Sequence, residues 1–309
     1  MCAALGLPLR VGSERLVRAP MGRQEGLLLV VHGSQCHRSA AEAHELAGMV
    51  AGALPDTDVD VGFLEMADPP AGESLDAMVA RGARRVVVLP LVLLGAGHAK
   101  SDVPAVVLGA RQRHADIDIG FGSPLGISRG LVEVLGSRLL AQGAAGLPLL
   151  LVARCTSDPD ANGDACKAAR LVAEWTGACF AHCAFSGVTG PSIPDALEVF
   201  ERLGHRRIAV AWWFLCHGKL IERGREEIAA FAERTGTEVI DAGHIGGDPR
   251  LVPLITAKYY EALEGMPAVN CDACAYRAPW PGREGRVGQP LGVGHSHLAA
   301  DHMAGLHRH

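Results

Sequence analysis

The chain has 309 residues, 49% of them hydrophobic, and a formal net charge of -5. That length points to two domains, and the composition is enough to give each a substantial core. With 29 Lys and Arg against 34 Asp and Glu and no basic stripe, a nucleic-acid binder is disfavoured, and an acidic ligand would need a local patch of Arg and Lys. Residues 1–25 read as an extension: Met1 to Arg23 carries several charges and breaks its apolar runs early, unlike a signal peptide. No apolar run reaches transmembrane length. The nine cysteines are scattered, which suggests reduced thiols and a cytoplasmic location.

The periodic segments then follow in order. A short apolar run at 27–31 reads as a buried strand, 40–54 as a helix, 59–64 as a second strand and 71–81 as a helix with Gly82 just beyond it. The run 86–94 is continuous rather than alternating, so it reads as a central parallel strand covered on both faces. A helix at 101–113, a strand at 117–121 and a helix at 128–140 complete the first half. The second half reads as strand 148–153, helix 162–176, strand 179–186, helix 193–203, strand 207–215, helix 220–234, strand 237–241 and helix 250–263. Such alternation predicts an α/β chain with parallel sheets of about four strands per domain.

The two halves share more than a pattern. Leu28-Leu29-Val30-Val31-His32 resembles Leu150-Leu151-Val152-Ala153-Arg154 at an offset of 122. Pro69 maps to Pro191, and Gly82, Arg84 and Arg85 map to Gly204, Arg206 and Arg207, at the same offset. A single gapless offset argues for internal duplication. The expected organisation is an extension over 1–25, a first domain over 26–143, a second over 144–265 and a largely irregular tail over 266–309. The short Gly/Ala link between the domains suggests that they pack together rather than swing.

In open parallel sheets, function collects at the carboxyl ends of the strands. His32, Glu65 and His98 occupy such places in the first half, on three different strand ends. Two imidazoles and a carboxylate can hold a divalent metal or accept protons. A lone strand-end His is as readily a hydrogen-bonded loop residue, but three together favour chemistry. At the repeat offset they become Arg154, Gly187 and Leu220, so the second half is expected to be chemically silent. Arg154, Lys219, Arg223 and Arg225 could bind carboxylates there; His217 is a candidate extra ligand, and His37, His44 and His114 read as solvated. No dinucleotide or Walker A motif is present, so no nucleotide is expected. His32-Gly33-Ser34 alternatively suggests a serine hydrolase, but no nucleophile elbow accompanies it.

Leu29-Val30-Val31-His32-Gly33-Ser34, Phe63-Leu64-Glu65, Gly82 to Pro90 and Leu94-Gly95-Ala96-Gly97-His98 resemble the sirohydrochlorin chelatase family, the CbiX/SirB type of class II chelatases, in its long fused form. The resemblance implies two tandem chelatase-like, flavodoxin-like domains and a sirohydrochlorin macrocycle in the cleft between them. It implies insertion of Co2+ or Fe2+, on a cobalamin or sirohaem route, by a monomer acting as an internal pseudo-dimer. His32 and His98 match the family's metal-handling histidines. Glu65 would orient an imidazole or take a proton, and Ser34, Gly97 and Arg154 would contact the macrocycle.

Cys271-Asp272-Ala273-Cys274 is similar to a segment linked in some relatives to an iron–sulfur cluster, although two cysteines cannot complete a four-thiolate site alone. His295, His297, His302, His307 and His309 crowd the end of the chain, a density suited to capturing cobalt, nickel or zinc. A metal-storage or delivery protein using this tail is the alternative function.

Overall fold

The structure is a computed structural model and describes residues 24–265 except 155 and 188. It holds two four-stranded parallel sheets. The first half runs β1 (Glu25–Val31), α1 (His37–Ala53), β2 (Thr57–Phe63), α2 (Ala71–Ala80), β3 (Arg85–Pro90), a π-helical turn (His98–Asp102), α3 (Val103–Arg113), β4 (Asp118–Phe121) and α4 (Arg129–Ala141). The second runs β5 (Leu149–Arg154), α5 (Pro159–Thr176), β6 (Ala181–Ser186), α6 (Ile193–Arg202), β7 (Arg207–Trp213), α7 (Lys219–Thr235), β8 (Glu238–His244) and α8 (Leu251–Leu263). The strand orders, β2-β1-β3-β4 and β6-β5-β7-β8, are the same under the duplication. The expected alternation of strands and helices is therefore present throughout.

Local chemistry explains the boundaries. Ser192 and Asp195 form a reciprocal cap at the start of α6. Asp158 caps α5 by accepting from the Asp160 backbone N–H, with Pro159 at the first helical position. The strand expected over 86–94 ends earlier, at Pro90, which has no N–H to donate to a ladder. Leu91 and Leu93 remain buried, but as part of the loop that forms a cleft wall. Apolarity alone could not separate those two roles.

Each sheet is covered on its outer face by its own helices, α2 and α3 in the first half and α6 and α7 in the second. The inner faces of both sheets join one continuous core with α1, α4, α5 and α8. Within it the last helices are exchanged: α4 packs on β7 and β8 of the second sheet, and α8 packs on β3 and β4 of the first. On α4, Leu131, Val134, Leu135 and Leu139 are fully buried, and Arg138 bonds the Ile245 carbonyl at 3.0 Å and Asp248 at 2.9 Å. On α8, the Tyr259 hydroxyl lies 3.4 Å from Thr57 Oγ1 and 3.3 Å from Glu25. Burial pushes that phenol up to about 12, so it stays a neutral hydrogen-bonding group. Each buried Leu or Val contributes about 2 kcal/mol, so the four on α4 alone rival the net stability of a domain, about 5–15 kcal/mol. The halves are thus locked against free swinging.

Candidate active site

Connections leave β1 and β3 toward opposite faces of the first sheet: α1 lies on the inner face and α3 on the outer. Their carboxyl ends therefore flank the crevice where α/β sheets bind ligands. His32 follows β1, and His98 opens the π-helical turn after the β3 loop. A π-turn is a rare device that concentrates at functional sites. Here it replaces the loop expected around His98. The imidazoles meet in a T-shaped pair, with ring centroids 4.3 Å apart and planes at 66°.

A carboxylate backs each ring. His32 Nδ1 lies 3.0 Å from Glu65 Oε1, and His98 Nδ1 lies 2.5 Å from Asp102 Oδ2. Asp102 is held in turn by the Ser101 hydroxyl at 2.8 Å. The Asp102 carboxylate on His98 Nδ1 fixes that ring's tautomer and leaves its Nε2 lone pair for a ligand, and Glu65 lies on the Nδ1 side of His32. Asp102 was missed from the sequence; the His98-x-x-x-Asp102 spacing on a helical turn was the signal that could have found it. Asp102→Asn should leave His98 in place but lower metal affinity or turnover about 10–100-fold. Parallel titrations and rate measurements on wild type and D102N check this, and equal values would refute the orienting role.

Gly33 permits this geometry. Its φ is 95°, and an added Cβ would lie 1.7 Å from the Glu65 carbonyl oxygen. The Glu65 N–H donates to the His32 carbonyl at 3.0 Å, so the two site loops are laced together. Gly33→Ala should cost at least about 1–2 kcal/mol from the left-handed backbone alone, with further loss from the clash. A melting temperature equal to wild type would contradict it.

The cleft at these strand ends has a volume of about 520 Å³ and reaches both halves. Ser34, Gly97 and Arg154 all line it, as do Lys219 and His217. Ser34 Oγ accepts from the Cys36 N–H at 3.1 Å, an ordinary turn contact. Gly97 has φ -44°, so its conformation does not require glycine. Arg154 Nη2 donates to His32 Nε2 at 2.7 Å. Arg223 and Arg225, expected as carboxylate binders, are engaged outside the cleft by Glu227 and Asp241; their places on α7 turn them from it. His217 is buried, its Nδ1 4.0 Å from Cys36 Sγ and its N–H bonded to Glu42 at 2.7 Å. His114, expected to be solvated, is half-buried and pairs with Asp76 at 2.7 Å, whereas His37 and His44 are exposed.

Lys100, in the same π-turn, is buried between Asp158 at 2.6 Å and Asp160 at 3.1 Å. These contacts bridge the halves two residues beyond His98. Among the described residues no group of three or more His, Cys, Asp or Glu is arranged to hold a metal ion. The two-imidazole arrangement differs from the four-ligand cages of structural zinc. Cys271, Cys274, His295 and His297 lie outside the described residues. Among the described residues no helix is long and apolar enough to cross a membrane.

Comparison with known proteins agrees with this architecture. The CbiX family profile matches twice, over residues 26–142 and 148–262. The chain is 34% identical to the sirohydrochlorin cobaltochelatase of Priestia megaterium over 226 residues, covering 71% of this chain and 74% of that protein. It is 26% identical to the sirohydrochlorin ferrochelatase of the same organism over 207 residues, covering 66% and 78%. The structure of SirB from Bacillus subtilis with Fe3+ superposes with a TM-score of 0.71 at 25% identity, covering 79% of this chain and 98% of that one. Two successive profile matches, on two sheets of the same strand order, place this chain in the CbiX family, as a tandem duplication of its unit.

Proposed function

We propose that this chain is a sirohydrochlorin chelatase, inserting Co2+ or Fe2+ into the macrocycle without ATP. The observation that carries the proposal is the pair of carboxylate-backed imidazoles, His32 and His98, which meet each other and line the cleft at the β1/β3 crevice. The names of the relatives supply the substrate. The higher identity to a cobaltochelatase favours cobalt over iron.

Insertion exchanges two pyrrole N–H protons for one divalent cation. The ring docks in the cleft, its carboxylates near Arg154 and Lys219. His32 and His98 present the metal to one face of the ring through Nε2. Each imidazole–carboxylate pair then accepts one of the two protons, which balances the reaction without a further base. Two protein ligands hold the metal loosely enough for the ring nitrogens to win it. Residues 26–143 form the catalytic unit on this reading and 144–265 the degenerate one, so a monomer carries a complete cleft. The described thiols Cys36, Cys166, Cys179, Cys183 and Cys216 are free, in keeping with a reducing, cytoplasmic setting.

Anaerobic mixing of the protein with sirohydrochlorin and either Co2+ or Fe2+, followed by absorbance, tests the proposal. Acceleration over the enzyme-free control supports it. Folded protein that binds metal without turnover would instead favour storage or delivery by the His-rich tail.

A further inference from the structure

Arg154 ends β5 and is exposed, yet its Nη2 lies 2.7 Å from His32 Nε2. Arginine has no acceptor and donates only. The Nε2 lone pair must therefore be the acceptor, which puts the ring proton on Nδ1, 3.0 Å from Glu65 Oε1. That lone pair is the one His32 would offer a metal. Guanidinium and metal cannot both have it. The pair is also separated by 122 positions, the offset of the duplication, so position 32 touches its own equivalent in the second repeat. Equivalent residues meet only near the axis that relates two halves. At that axis one repeat supplies an imidazole and the other a permanent cation that covers it.

A guanidinium pairs more strongly with a carboxylate, in a two-pronged geometry, than with a neutral imidazole. Arg154 also lines the cleft beside His98. We propose that Arg154 is a substrate-responsive gate on His32: it caps Nε2 until a carboxylate of the incoming ring takes the guanidinium, which frees the lone pair for the metal. This rests on the chelatase reading above. Arg154 is thus a positioning residue whose effect passes through His32, and ring and metal bind with positive coupling. Because such coupling is reciprocal, bound metal also tightens ring binding.

The test titrates Co2+ alone into full-length wild type and Arg154→Met, each beside its His32→Ala counterpart. The difference within each pair isolates binding at His32 from binding by the His-rich tail. Arg154 is exposed, and unchanged melting of R154M excludes a folding defect. The His32-dependent affinity should rise at least about tenfold in R154M. Metal-free uroporphyrin, a carboxylate-rich ring read before any insertion is visible, should raise that affinity in wild type and not in R154M. Equal affinities in wild type and R154M, or a uroporphyrin effect that survives in R154M, would overturn the gate. Wild-type turnover on sirohydrochlorin is measured in parallel. Turnover with no R154M effect removes the gate alone, whereas absence of turnover with either metal removes the chelatase reading beneath it.

Discussion

Replacing His98 with alanine is expected to lower metal insertion at least about 100-fold while leaving the melting temperature nearly unchanged. Positioned acid–base groups contribute about 10²–10⁴-fold, and His98 would combine that role with metal binding. The small stability effect follows from its setting. The side chain is 29% exposed, and Asp102 keeps its bond from Ser101 when the ring is gone. The contrast with D102N makes the result diagnostic, since D102N retains the imidazole in place, only without its fixed tautomer, and should lose less. The anaerobic insertion rate and a melting curve check both parts. Unimpaired turnover in H98A would remove His98 from the site.

Replacing Lys100 with methionine should instead destabilise the protein by about 3 kcal/mol, the low end of what breaking a buried pair costs. Lys100 and Asp158 are 6% and 2% exposed, so water cannot replace the lost partner. Part of the Asp158 charge is still satisfied at the α5 N-terminus, which keeps the effect from being larger. Asp164 adds to the strain: burial, then the Asp160 charge, raises its carboxyl above the ordinary range, while Lys100 draws it down. Without Lys100 its folded pKa rises further above the unfolded value. A carboxyl raised on folding takes up its proton more readily in the folded state, so stability is regained as pH falls through that folded value. The K100M deficit should therefore narrow toward acid. Thermal melts at neutral and mildly acidic pH would show it, and a deficit independent of pH would count against this electrostatic origin.

The order of elements was legible because each depends on short-range information. Apolar runs such as 86–90 and the apolar face of 71–80 declare a strand and a helix by local periodicity. The errors were local as well. The strand expected over 86–94 ends at Pro90, and the expectation runs past it because cleft-lining leucines look like core leucines in the sequence. The π-turn at His98 was invisible because no composition distinguishes it from the start of α3. Arg223 and Arg225 were grouped with the cleft because adjacency along α7 does not report which face turns inward.

By itself the sequence determined the duplication, the parallel α/β character and the placing of His32, Glu65 and His98 in the segments that follow three strands. These follow from apolar periodicity, a constant offset and the direction of parallel strands. Only the tertiary structure decided that α4 and α8 change places between the sheets, that Asp102 backs His98, and that Arg154 covers His32. The exchange depends on which apolar faces meet once two similar units are joined, and both halves offer much the same pattern. The Arg154–His32 contact depends on how closely two strand ends 122 positions apart approach across an axis. Distances of that kind are set by the packing of the shared core, which no window of sequence contains.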